Sequence, residues 1–200
     1  YTGFADNSNG TWYVEKGTIT FSKTDVIKNV SDGKLYNVVG SQVTAGPTVS
    51  KCSADGVWYY ISEDGTADLL YNGFASNSNG TWLVKDGVVT FNDEGVYEID
   101  GKLVFVSGGK VDSSYTGFAE CEDGTTIYAE KGVQITRTDI LKDTRDSLWK
   151  YVENGVWTKK EIVAKNANGW YYVSPNGIVD FNYTGFADNS NGTWYVEKGT

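Results

Sequence analysis

YTGFADNSNGTWYVEKGT, residues 1–18, returns letter for letter as residues 183–200, and that return decides the fold. Looser copies start at Tyr71 (YNGFASNSNGTWLVKDG) and at Tyr115 (YTGFAECEDGTTIYAEKG). Self-similarity at short period marks a stacked array, in which no unit buries its own apolar face and neighbours together build one core. The functional question therefore moves from a single pocket to a recurring surface.

A smaller unit lies inside the long repeat. An Asp-Gly or Asn-Gly pair recurs at Asn9-Gly10, Asp32-Gly33, Asp55-Gly56, Asn79-Gly80, Asp100-Gly101, Asp123-Gly124, Asn168-Gly169 and Asn191-Gly192. Asp146-Ser147 fills the one gap, and the successive spacings are 23, 23, 24, 21, 23, 23, 22 and 23 residues. After each pair comes a short strand, aromatic in most copies, such as TWYV at 11–14, VWYYI at 57–61 or GWYYV at 169–173. A Gly-containing turn and a second strand such as TITF, VVTF or IVDF follow. Strand, Gly turn, strand is a β-hairpin, with Gly supplying the positive φ that other residues resist. The spacing predicts nine hairpins, the last cut in half, at a period of about 23 residues, in an all-β array. Helical periodicity is absent. The stretch from Ser22 to Lys28 and its relative from Arg137 to Lys142, with TDVIK and TDILK, fit either a short helical turn or a linker strand. Isolated hairpins are marginal in water, so stacking is obligatory.

The totals narrow the partners. Among 200 residues there are 24 Gly, two Pro, no Met and no His, and the net charge is −9. Without His there is no imidazole base, triad or metal ligand. The acidic balance disfavours nucleic acid and anionic lipid, which need Lys and Arg patches. It leaves neutral glycans, cationic groups and proteins. No apolar run is long enough for membrane insertion. Cys52 and Cys121 form no disulfide framework by count, and an unbonded pair is expected. The chain reads as one continuous array over 1–200, a fragment of a longer array whose long repeat, 1–182, restarts at 183–200.

The unit NGWYYVSPNGIVDFNYTGFA (168–187) resembles the choline-binding and glucan-binding repeats of Gram-positive surface proteins, a design shared by clostridial toxin repetitive domains. The matching parts are Trp170-Tyr171-Tyr172, Asn176-Gly177, Ile178-Val179-Asp180 and Thr184-Gly185-Phe186. The resemblance implies a β-hairpin solenoid, a left-handed superhelix of roughly three hairpins per turn. It also implies aromatic side chains that hold either a quaternary ammonium or the flat face of a sugar. Two features depart from the choline pattern. The closing TGW is TGF, at Phe4, Phe74, Phe118 and Phe186, and the Met of the second strand is replaced by Ile19, Val89 or Val179. Phe is the weaker partner for a cation.

The aromatic ladder has two readings. Rings pack well between stacked sheets, so each is a core candidate. Strand alternation also sends one member of each pair outward, where it forms a ligand shelf. The shelf candidates are Trp12, Trp58, Tyr60, Trp82, Trp170 and Tyr172. The Tyr-Thr-Gly-Phe-Ala element reads as a linker between hairpins, its Gly permitting close backbone approach. Asp6-Asn7-Ser8-Asn9-Gly10 reads as an Asn-Gly turn rather than a calcium loop, since the bidentate Glu is absent. No carboxylate pair stands out for glycoside hydrolysis. Neither a catalytic group, a metal nor a cofactor is expected. The reading is a non-catalytic, extracellular cell-surface or secreted module that binds cell-wall polymer or glycan, choline among the candidates, with a protein partner left open. The alternative is a structural stalk of an adhesin with no ligand of its own.

Overall fold

The computed structural model describes residues 1–200. It contains strands, turns and no helix. Nine antiparallel hairpins recur, in register with the Asp/Asn-Gly pairs. Hairpins one to four pair Gly3–Asn7 with Gly10–Val14, Asp25–Lys28 with Leu35–Val39, Thr48–Lys51 with Trp58–Ile61, and Gly73–Asn77 with Gly80–Lys85. Hairpins five to nine pair Gly95–Ile99 with Lys102–Ser107, Gly117–Glu120 with Thr126–Glu130, Asp139–Lys142 with Trp149–Glu153, Ile162–Asn166 with Gly169–Val173, and Gly185–Asn189 with Gly192–Val196. By contact the chain divides into two compact units, Tyr1–Glu94 with Ser107–Val111, and Gly95–Val106 with Asp112–Thr200.

The nine-fold count stands, but the hairpins are drawn differently from the sequence reading. The Asp/Asn-Gly pair is the hairpin's own turn, and the Thr-Gly-Phe-Ala segment is its first strand rather than a linker. Both Thr-Asp segments are likewise strands, at Asp25–Lys28 and Asp139–Lys142. The ninth hairpin is therefore complete through Val196. The strands expected after the Gly turns shrink to two residues, as at Val88–Val89 and Val133–Gln134.

The Tyr-Thr-Gly-Phe motif is a clasp. The Tyr71 hydroxyl donates to the Phe74 carbonyl at 2.7 Å, and those of Tyr115 and Tyr183 donate to Phe118 and Phe186 at 2.6 Å. The Tyr71 ring lies across Gly73, where an added Cβ would meet the hydroxyl at 3.0 Å, so this position excludes a side chain. The expected close approach of backbone is made instead by a side chain, the Tyr ring. The Thr has its own task. Thr2, Thr116 and Thr184 accept the backbone N–H of Lys16, Lys131 and Lys198, at 3.0, 3.3 and 3.1 Å. Those lysines hold φ near +51°, next to the turn Gly, so the Thr pins an otherwise strained turn.

Within each unit, short strands then stitch one hairpin to the one before. In the first unit Tyr13, Asn37, Tyr60 and Leu83 donate their N–H groups to the carbonyls of Ser41, Gly65, Gly87 and Gly109, at 2.8–2.9 Å. In the second unit Phe105, Tyr128, Tyr151 and Tyr172 donate to Gly132, Gly155, Gly177 and Gly199, at 2.8–3.0 Å. The residue after each donor in most copies is the core. Val14, Val38, Ile61 and Val84 in the first unit, and Val106, Ala129, Val152, Val173 and Val196 in the second, are all 9% exposed or less. An aliphatic spine, one residue per repeat, thus runs through the core, with Phe118, Tyr151 and Tyr172 the aromatic rings buried beside it. Each buried Val contributes about 1.5 kcal/mol or more.

Candidate ligand-binding pockets

One register on the central strand carries the rings that matter. Trp12, Trp82, Tyr171 and Trp194 each face an alanine across the hairpin, Ala5, Ala75, Ala164 and Ala187. The small partner leaves room for a large ring. The turn then orients the indoles. Asn7, Asn77 and Asn189 each accept the indole N–H of the Trp five residues on, at 3.1, 3.1 and 3.0 Å, while also capping the turn two residues ahead. The Asn-Ser-Asn-Gly-Thr-Trp string is therefore one device: a turn that aims a ring.

A second ring arrives from the end of the short strand. Trp12 meets Phe21 edge-on at 5.6 Å, Trp82 meets Phe91 at 5.4 Å, and Tyr171 meets Phe181 at 6.0 Å. A third ring comes from the preceding hairpin. Trp149 joins Tyr171 and Phe181, with Ile140, Asn166 and Val179, around a cavity of about 140 Å³. No charged side chain lines it. Trp58 takes the corresponding place beside Trp82, packed with it against Val49, Ala75, Val84 and Val89. A further cavity of about 200 Å³ opens between hairpins eight and nine, walled by Trp170, Tyr171, Trp194 and Tyr195.

The six residues singled out from sequence fall into two groups. Trp12, Trp58, Trp82 and Trp170 stand in or beside these ring clusters, and Trp170 is 47% exposed. Tyr60 and Tyr172, the other two shelf candidates, join repeats. Tyr60 stacks on Tyr71, and Tyr172 on Tyr183, each at 3.6 Å and within about 11° of parallel. Tyr172 is buried, and its hydroxyl donates to Glu161 at 2.8 Å. Burial, and then the Glu161 carboxylate, push the Tyr172 phenol up to about 12. The stack is made because the next clasp Tyr lands on this ring. Sequence reasoning missed Trp149, Tyr171, Phe181, Trp194 and Tyr195 as pocket walls. The signal was the Phe that closes TITF, VVTF and IVDF, nine or ten residues after the ring it meets.

The rings already accept cations from this chain. Lys110 places its ammonium 5.6 Å from the Trp82 centroid, and Lys165 sits 5.6 Å from that of Trp170. Cys52 and Cys121 are both free thiols.

The choline-binding repeat family matches this chain at residues 1–20, 71–90, 163–180 and 182–200, and these segments are repeats of that type. Among solved structures the chain is similar to CbpJ from Streptococcus pneumoniae TIGR4, at 14% identity over 98% of this chain and 78% of that one, with a TM-score of 0.38. It is similar to the choline-binding domain of CbpL from Streptococcus pneumoniae, at 15% identity over 90% and 97%, with a TM-score of 0.32. It is also similar to the modular autolysin LytC of Streptococcus pneumoniae, solved with a synthetic peptidoglycan ligand, at 16% identity and a TM-score of 0.34. There the match covers 80% of this chain and only 40% of LytC. No curated protein matches it.

Proposed function

We propose that this array of choline-binding-type repeats is a non-catalytic module of a bacterial surface or secreted protein, which holds cell-wall polymer by its quaternary ammonium groups. The sites are the aromatic pockets where one hairpin meets the next. The observation that carries this reading is the pocket of Trp149, Tyr171 and Phe181, three rings around a cavity with no charged wall. Ring faces attract a cation, and each such contact is worth roughly 0.5–2 kcal/mol. A net charge of −9 favours a cationic partner over an anionic one. Trp12, Trp58, Trp82 and Trp170 serve the equivalent pockets, and the exposed faces of Trp170 and Trp194 double as platforms for the polymer's sugars. The repeats act as one binding array, so that several weak sites add by avidity.

Calorimetric titration with choline tests the reading. The unaltered chain should bind saturably. Tyr171→Ala combined with Phe181→Ala should lower the affinity of that site about tenfold or more, the equivalent of about 1.4 kcal/mol. Binding to choline-free glycan alone, with no response to choline, would overturn it.

A further inference from the structure

The pocket between hairpins six and seven is built on the same frame as the one between seven and eight, but its contents differ. Lys150 and Tyr171 share a register, because the next residue in each case, Tyr151 or Tyr172, donates its N–H to the following repeat's Gly177 or Gly199. Phe118 and Ile140 share another, opposite Tyr128 and Tyr151. Trp157 and Val179 pair with the spine residues Val152 and Val173. Asp143 follows its strand where Asn166 ends the next one. The six–seven pocket thus has a lysine where the seven–eight pocket has a ring, and a carboxylate where the other has a carboxamide.

The Lys150 ammonium lies inside this pocket. It is 4.7 Å from the Trp157 centroid and 5.2 Å from that of Phe118. It donates to Asp143 at 2.6 Å and pairs with Asp146 at 2.7 Å. The Lys150 and Asp143 side chains are 6% and 2% exposed. Arg145 closes the outside, bonded to Asp143 through Nε at 3.0 Å and through a terminal nitrogen at 2.8 Å. Arg145, and with it Lys150, holds the Asp143 carboxyl well below the usual carboxylate range. Desolvation works against the Lys150 ammonium, yet the bonds to Asp143 and Asp146 outweigh it and raise the amine above its ordinary value.

We infer that the junction of hairpins six and seven is an ammonium site which the chain fills with its own Lys150, a tethered occupant that closes this pocket to outside ligand. This rests on reading the neighbouring pocket as an ammonium site, but its test does not use that pocket. A buried amine among rings and acids costs desolvation that only good geometry offsets. Two rings and two carboxylates converging on one nitrogen supply that geometry. The carboxylates also set the selectivity. They need N–H donors, so a primary ammonium fits and a quaternary one does not.

Shortening the tether exposes the site. Lys150→Ala should melt several degrees below the unaltered chain. Methylammonium chloride should raise that melting temperature saturably, while equal concentrations of potassium or tetramethylammonium chloride should not. The unaltered chain should show no such response. Equal effects of methylammonium and potassium on Lys150→Ala would overturn the inference. If the variant does not fold alone, its refolding yield with each salt gives the same readout, and no selective recovery again overturns it. In the unaltered chain, proton NMR should show Lys150 ammonium protons slow to exchange and shifted upfield by the rings. A fast-exchanging, unshifted signal would also sink the idea. Loss of choline binding at the Tyr171 pocket, with selective methylammonium rescue intact, would count against the proposed function alone.

Discussion

Hairpins one and nine are spelled identically over residues 1–18 and 183–200, yet they bury opposite faces. In the first, Phe4 packs on Tyr36 of hairpin two at 5.0 Å, while Tyr1 is 74% exposed and Ala5 is open. In the last, Tyr183 stacks on Tyr172 of hairpin eight and Ala187 is buried, while Phe186 is 71% exposed. Each hairpin has a forward face and a backward face, and its neighbours decide which is used. Only the spine, Val14 and Val196, is buried in both copies. Sequence therefore sets the hairpin and its internal bonds, while position in the array sets the energy of its surface.

The largest effect should be the same in both copies. Val14→Asp or Val196→Asp buries an unpaired carboxylate in the spine, costing about 4 kcal/mol or more. Hydrogen exchange should then show the amides of the altered hairpin open, with distant repeats still protected, since arrays lose stability by nearest-neighbour steps. Global unfolding from either site would break the comparison, because it would mean the hairpins are not separable units.

The crossed pattern is the sharper test. Phe4→Ala should destabilise the first hairpin by about 2 kcal/mol, and Phe186→Ala should change the last by no more than about 0.5 kcal/mol. The clasp tyrosines reverse the order. Tyr183→Ala removes an inter-repeat ring stack and should cost about 2 kcal/mol, whereas Tyr1→Ala should cost under about 1 kcal/mol, the worth of its single hydrogen bond. Urea titrations followed by exchange at each hairpin read all four. Equal costs within each pair would show that the faces are not directional.

The same division explains what could be read from the letters. The period and the count of nine units were legible, because Asp/Asn-Gly pairs act locally, through φ and capping bonds; which of the two turns in each unit closes the hairpin was not. The first strand was not. Thr-Gly-Phe-Ala carries a Gly that weakens a strand and reads as a turn, yet it pairs as a strand, with the Tyr ring lying across Gly73 and its equivalents. The pockets were half legible. Trp58, Trp82 and Trp170 announced themselves, but Phe181 did not, since it shares the cavity with Trp149, 32 positions away, only where one hairpin packs on the next. Tyr172 misled for the same reason. The WYY string does not say which ring the next repeat will cover, and here Tyr183 covers it.

The smallest effect should fall in both copies, and somewhat less in the last, where Tyr172 of hairpin eight also donates its N–H to the Gly199 carbonyl. Thr2→Val and Thr184→Val each remove one acceptor, for the N–H of Lys16 at 3.0 Å and of Lys198 at 3.1 Å. Both bonds close inside a single hairpin, and both are exposed to solvent. Water replaces part of each bond, so the cost should be about 0.5–1 kcal/mol, at the low end for a neutral hydrogen bond. The loss should be felt first in the turn itself. Lys16 and Lys198 both hold φ at 51°, which a non-glycine residue resists, so removing the Thr bond frees a conformation that was held against its preference. Faster exchange at Gly17 and Gly199, with spine amides unchanged, is the expected signature. A cost at Thr184→Val larger than at Thr2→Val would mean that the Tyr172 bond does nothing to hold the last turn, and that the line between local and positional energy drawn from Phe4 and Phe186 falls in the wrong place.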